Sequence, residues 1–177
     1  MKGIREPIRR LIVKKFAFVI LVLMVTTVLI AHPHFAKSIT VDLPSGVKAS
    51  ISYRTTPSNE EHAQNVQVGT FVTPRGPSLS LSGEITAGSV TIPAGEYTIG
   101  VIKNSANDWT LALYPGRVER GAAPDMSKVI KLDSMFTSSG SNAAHLVVDV
   151  QPGHGRLAGK SVLNLQFGSL ALDGALS

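Results

Sequence analysis

Ser38-Ile39-Thr40-Val41-Asp42-Leu43-Pro44-Ser45-Gly46-Val47-Lys48-Ala49-Ser50-Ile51-Ser52-Tyr53-Arg54 alternates apolar and polar residues on both sides of a Pro-Ser-Gly turn. Side chains of a strand point to opposite faces with period two, so Ile39, Val41 and Leu43 share one face, as do Val47, Ala49, Ile51 and Tyr53. The stretch predicts a β-hairpin with one buried face. Working outward, further strands are expected at 66–72, 78–81, 89–92, 97–103, 109–114, 129–132, 145–150, 162–167 and 170–172. Pro, Gly, Asn or Ser clusters punctuate nearly all of them. Many short strands with such spacing predict an all-β fold, an antiparallel β-sandwich of jelly-roll-like or related barrel form. Helical signals are few. Ser58 and Glu61 stand at capping-box spacing and predict a short helix over 59–65. Residues 124–128 suit a single turn, and the Gly/Ser-rich 137–142 reads as a mobile loop.

The most distinctive segment is Val90-Thr91-Ile92-Pro93-Ala94-Gly95-Glu96-Tyr97-Thr98-Ile99-Gly100, followed by Asn107-Asp108-Trp109-Thr110-Leu111-Ala112-Leu113. It reads as a strand, a turn, a second strand, a polar loop and a third strand. Tyr97, Ile99 and Val101 share one face, and Trp109, Leu111 and Leu113 alternate in the same way. Aromatics at the two strand starts would anchor the core.

Pro-Ala-Gly-x-Tyr followed by a Trp that opens the next strand resembles the bacterial secreted family named domain of unknown function 2911. The resemblance covers roughly residues 78–175 and is most specific over 93–113. It implies a β-sandwich in the cell envelope. Members of that family often carry a Trp-Arg-x-Gly-Ala-Asn-type segment upstream of the turn, where this chain reads Pro74-Arg75-Gly76-Pro77-Ser78-Leu79-Ser80-Leu81. No functional residue carries over from that segment.

The chain has 177 residues with a formal charge of +5, which invites a nucleic-acid reading until the charge is located. Residues 1–31 hold Lys2, Arg5, Arg9, Arg10, Lys14 and Lys15 against Glu6 alone, so the whole excess sits there and the remainder is balanced. Nucleic acid is therefore not an expected partner. A charge-free run, FAFVILVLMVTTVLIA, follows at 16–31. The order of basic, apolar and small residues predicts a signal peptide, cleaved after Ala31 with Leu29 at the −3 position. Uncut, the same segment would be an N-terminal anchor helix that meets the inner membrane through residues 11–31. Either way the basic flank stays cytoplasmic, and residues 32–177 are expected as one exported domain, periplasmic or extracellular. The absence of cysteine excludes disulfides, Cys-ligated zinc or iron–sulfur, and a thiol nucleophile.

Cleavage after Ala31 would make His32 the first residue. Its α-amine and ring Nδ1 would chelate one metal ion, in a manner that suits Cu(II). Pro33 has no N–H and so blocks the competing mode through backbone amides. His34, His62, His145 or His154 would supply the other ring nitrogen; the candidate metal ligands are His32 and His34. The plainer reading places both in an exposed, frayed terminus. His145 and Asp149 share a strand face, but four residues on a strand span ~13 Å, too far to pair directly. His154 in Pro152-Gly153-His154-Gly155 reads as a turn residue. Glu60, Glu61 and His62 are adjacent and do not share a helix face. Trp109, the only Trp, is assigned to the core rather than to a sugar-stacking platform. No nucleophile elbow, zincin motif, P-loop or dinucleotide fingerprint is present. The expected role is a non-enzymatic envelope binding or structural module. The alternatives are a periplasmic copper protein using His32 and a hydrolase-type enzyme with its site on strand-end loops.

Overall fold

The expected hairpin forms with the register the alternation requires. In the computed structural model, which describes residues 34–119 and 121–177, β1 (Ala36–Asp42) pairs with β2 (Lys48–Arg54), Ile39 opposite Ile51 and Val41 opposite Ala49. The Leu43 N–H donates to the Val47 carbonyl at 2.9 Å and Gly46, at φ 82°, tightens the turn. Ala49, Ile51 and Tyr53 are buried while Lys48 reaches Asp42 at 2.7 Å on the exposed face, a pair of the kind that contributes about 0–1 kcal/mol. The expected leader at 1–31, and His32 with it, lies outside the described residues. Among the described residues no helix is long and apolar enough to cross a membrane.

From β2 the main sheet continues through β4 (Ser78–Leu81), β7 (Gly95–Ser105), β8 (Asp108–Pro115) and β9 (Ile130–Lys131), every pair antiparallel. β3 (Phe71–Val72) lies on the same edge of β7 as β4, farther along that strand. Residues 73–77 interrupt what would otherwise be one strand. Pro74 and Pro77 cannot donate to a ladder, and Arg75 and Gly76 turn through φ 57° and 60°. The break is bridged: Thr73 Oγ1 donates to the Ile99 carbonyl and the Ile99 N–H donates to the Pro77 carbonyl, each at 2.7 Å.

Two hairpins complete the fold. β5 (Ile85–Ala87) pairs with β6 (Val90–Ile92), and β10 (Ser134–Pro152) pairs with β11 (Ser161–Ala175). β6 therefore pairs backward with β5, and Pro93-Ala94-Gly95 is a corner that carries the chain into the main sheet. Tyr97 braces that corner by donating its hydroxyl to the Pro93 carbonyl at 2.7 Å, and burial raises its phenol above the ordinary value. Ile51, Leu79, Ile99, Leu111 and Leu113 from the main sheet share one core with Leu146, Val148, Leu163, Leu165 and Leu172 from the long hairpin. The result is an all-β, sandwich-like fold. The opposite face of the main sheet carries a smaller cluster, Phe71, Ile102 and Ala112, against Tyr114, Val118 and Val129. At the far end of the long hairpin, Arg156 and Lys160 grip Asp133, and the Arg156 hydrogen bond above all holds that carboxyl below the usual carboxylate range.

Three expectations change. The strand expected over 66–72 shrinks to Phe71–Val72, because Gly69 turns at φ 82° and donates to the Lys103 carbonyl. Segments 162–167 and 170–172 are a single strand that continues through Gly168 at φ 63°. The loop expected at 137–142 lies inside β10. Between Ser138 and Val147, nine steps along β10 answer four along β11, so the polar stretch is absorbed as irregular pairing instead of ending the strand.

Candidate functional site

The expected helix exists as α1 (Glu60–Gln64), but it is capped differently. Asn59 is the N-cap, its Oδ1 accepting from the His62 N–H at 2.9 Å. Ser58, expected in that role, is used at long range. Its hydroxyl donates to the Ala143 carbonyl at 2.6 Å and accepts from the Gly168 N–H at 2.8 Å. Glu60 Oε1 accepts from the Ser169 N–H at 2.7 Å. The Leu146 N–H donates to the Thr56 carbonyl and the Ser58 N–H to the Ala144 carbonyl. A five-residue helix is too short to persist by itself; these bonds to β10 and β11 hold it in place.

Two clefts flank α1 and share Ala63, Trp109 and Leu170. The first, about 410 Å³, is lined by Glu60, Gln64, Lys103, Asn107 and Phe136 among others. Lys103 continues the inward register of Tyr97, Ile99 and Val101, and it is 7% exposed. Its Nζ donates to the Gln64 carbonyl at 2.5 Å, which satisfies a last-turn carbonyl of α1, and lies 5.5 Å from the centroid of the Trp109 ring. Trp109 is its direct cross-strand partner. Among the described residues no carboxylate reaches Lys103 within 4 Å.

The second cleft, about 380 Å³, has an apolar floor that includes Val101, Trp109, Leu165, Phe167 and Leu172. Its rim carries Thr56, Asn59, His62, Thr73 and Arg75. One wall is Thr73, Pro74 and Arg75, so one of the prolines that interrupt the sheet edge also shapes the cleft.

The four described histidines do not converge on one another. His34 is exposed, and its Nδ1 donates to the Thr55 carbonyl at 2.8 Å. His62 sits on α1 at the rim of the second cleft, and His145 is exposed and forms a backbone bridge to Pro57. His154 lies 3.6 Å from Asp173 at the opposite end of the hairpin. Among the described residues no three His, Asp or Glu gather as a metal would require, and no Ser or Thr hydroxyl bonds a histidine. Asp149 is exposed on the face opposite buried Leu146 and Val148, as expected. Trp109 is 4% exposed and belongs to the core, yet it also walls both clefts. No family model, curated protein or solved structure matches this chain. Lys103 and Arg75 were not singled out in the sequence. Lys103 left a signal, a lysine two residues beyond an apolar stripe with a Trp opening the next strand; Arg75 left one in its Pro-Arg-Gly-Pro setting.

Proposed function

We propose that the chain is an exported cell-envelope module, built on a two-layer β-sandwich, that binds a small ligand in the clefts beside α1. The observation that carries this reading is the meeting of two clefts at Trp109 under a helix that has no buried residue of its own but that six hydrogen bonds to neighbouring strands and to Lys103 hold in position. Their volumes fall within the ~300–1,000 Å³ of small-molecule sites. The basic and apolar leader at 1–31 supports export, and the resemblance over 93–113 to domain of unknown function 2911 agrees with it. Protein recovered from the periplasm is expected to have the intact mass of a chain starting at His32; cytoplasmic retention at full-length mass would overturn export. Trp109 is the only Trp, so its emission reports on the clefts directly. Screened against amphiphiles, amino acids and sugars, the protein is expected to show a saturable emission change that Ala63→Phe, which puts a ring where the two clefts meet, abolishes. Equal binding by that variant would place the ligand elsewhere.

A second reading rests on His34. Donation from Nδ1 to a backbone carbonyl fixes the tautomer and leaves Nε2 free, the way metal-binding imidazoles are commonly held. With His32 as the first residue, its amine and Nδ1 together with His34 Nε2 would offer three nitrogen ligands of the kind Cu(II) prefers. The mature protein is then expected to take up one Cu(II) tightly, with His32→Ala abolishing uptake and His34→Ala weakening it. Micromolar binding indifferent to both substitutions would sink the copper reading.

A further inference from the structure

We infer that the second cleft takes an amphipathic anion, an apolar chain bearing a single carboxylate or phosphate, with the chain on the Trp109 floor and the head at Arg75. This rests on the cleft-binding reading and names its ligand class. The first support is the charge of the lining. Among the described residues, His62 and Arg75 are the only ionisable side chains that line it, and no Asp or Glu does. Arg75 is exposed, and among the described residues no carboxylate lies within 4 Å of it.

The second support is the hydrogen-bonding capacity left at the rim. Thr56 and Thr73 both spend their hydroxyl protons on backbone carbonyls. Asn59 spends its carbonyl oxygen on the helix cap, which leaves its Nδ2 donor. The two threonine oxygens can then only accept, so the rim's free donors are the guanidinium, the imidazole N–H and this amide, and these suit an acceptor-only head group.

The third is backbone geometry. Arg75 is the one non-glycine among the described residues with positive φ, at 57°. A bulky side chain is unfavourable in that region and persists where its surroundings enforce it. Here the residue in that conformation, set between Pro74 and Gly76-Pro77, is the cation at the cleft mouth.

The test uses decanoate as probe, with decan-1-ol, butyrate and decyltrimethylammonium as controls, read by Trp109 emission and calorimetry on the mature protein. Decanoate is expected to bind at least tenfold more tightly than decan-1-ol. Each methylene buried should tighten binding by about fourfold, so butyrate should be far weaker. Arg75→Gly removes the cation and relieves the positive φ, so it leaves folding intact; it is expected to weaken decanoate tenfold or more and leave decan-1-ol unchanged. Equal affinity for decan-1-ol and decanoate, or no effect of Arg75→Gly, overturns the anion while keeping the cleft as a seat. No saturable response to any ten-carbon probe overturns the inference and the seat together. A free acid and an anionic bilayer lipid share this head chemistry. Co-sedimentation with phosphatidylglycerol vesicles, lost in Arg75→Gly, assigns the bilayer lipid; decanoate binding without co-sedimentation assigns the free acid.

Discussion

Gly100→Ala is expected to destabilise the fold by about 3 kcal/mol, near the top of the range for overpacked cores. Gly100 lies mid-strand in β7, where Ile99 and Val101 turn inward and Gly100 and Ile102 face the smaller cluster. A Cβ there would stand 2.4 Å from Phe71 Cζ and 2.6 Å from the Val72 carbonyl oxygen. The ring of Phe71 lies over the bare backbone, 6.1 Å from the Tyr114 ring, and fills the space that a side chain on β7 would occupy. An added methyl must push both the ring and the two-residue strand β3 off the edge. The substitution is expected to lower the urea midpoint without changing the slope, since the unfolded chain is almost the same. The Phe71→Ala background separates the two obstacles. If the ring is the main one, Gly100→Ala should cost about half as much there, leaving the contact with the Val72 carbonyl. Strict additivity of the two substitutions would show that the ring is not what the methyl meets.

What the sequence revealed was whatever depends on a residue and its neighbours two positions away. The register of 38–54, the inward stripes Tyr97-Ile99-Val101 and Trp109-Leu111-Leu113, and the burial of Leu146 and Val148 opposite Asp149 are all period-two facts. They follow once a strand is assumed. Pairing across distance was hidden. Residues 137–142 have the composition of a loop and still lie within β10, since β11 supplies partners on both sides, Leu170 to Ser138 and Gly168 to Ala143. Three-residue β5 was too short to show a period. The site was the least legible part. Ser58 and Glu61 gave a true helix and a false cap, because Ser58 can bond its own helix or β10 and β11, and the choice is made by strands about a hundred residues away. Lys103 can be buried because a helix carbonyl arrives from 39 positions upstream to accept its hydrogen bond. The expected leader, by contrast, rests on composition alone, and the mass of the recovered chain tests it.

Gly168→Ala is expected to cost about 3 kcal/mol as well, on the order of 10 °C in Tm, and to disturb the candidate site from the side of α1. Two effects combine. Gly168 sits at φ 63°, where a Cβ costs about 1–2 kcal/mol. That Cβ would also lie 2.8 Å from Glu60 Cγ and 2.9 Å from its Oε1. Glu60 could swing away, but only by releasing the Ser169 N–H, a charged hydrogen bond of about 1.5–3 kcal/mol. Gly168 also donates to Ser58, so two of the six ties that hold α1 lie within one peptide unit of the substitution. Loosening them should wet the clefts, and Trp109 emission in the folded variant is expected to shift to the red. Gly168→Asn tells the two effects apart. Asn tolerates the left-handed region, so if strain dominates it should recover most of the stability and the parent emission. If the collision with Glu60 dominates, Asn brings the same Cβ and recovers little, and the red shift stays. Recovery of stability with the red shift retained would show that α1 is released at little cost to the core, as a helix held for the clefts rather than for the fold requires. A Gly168→Ala protein as stable as the parent, with unshifted emission, would show that Ser58 and Glu60 are not what positions α1.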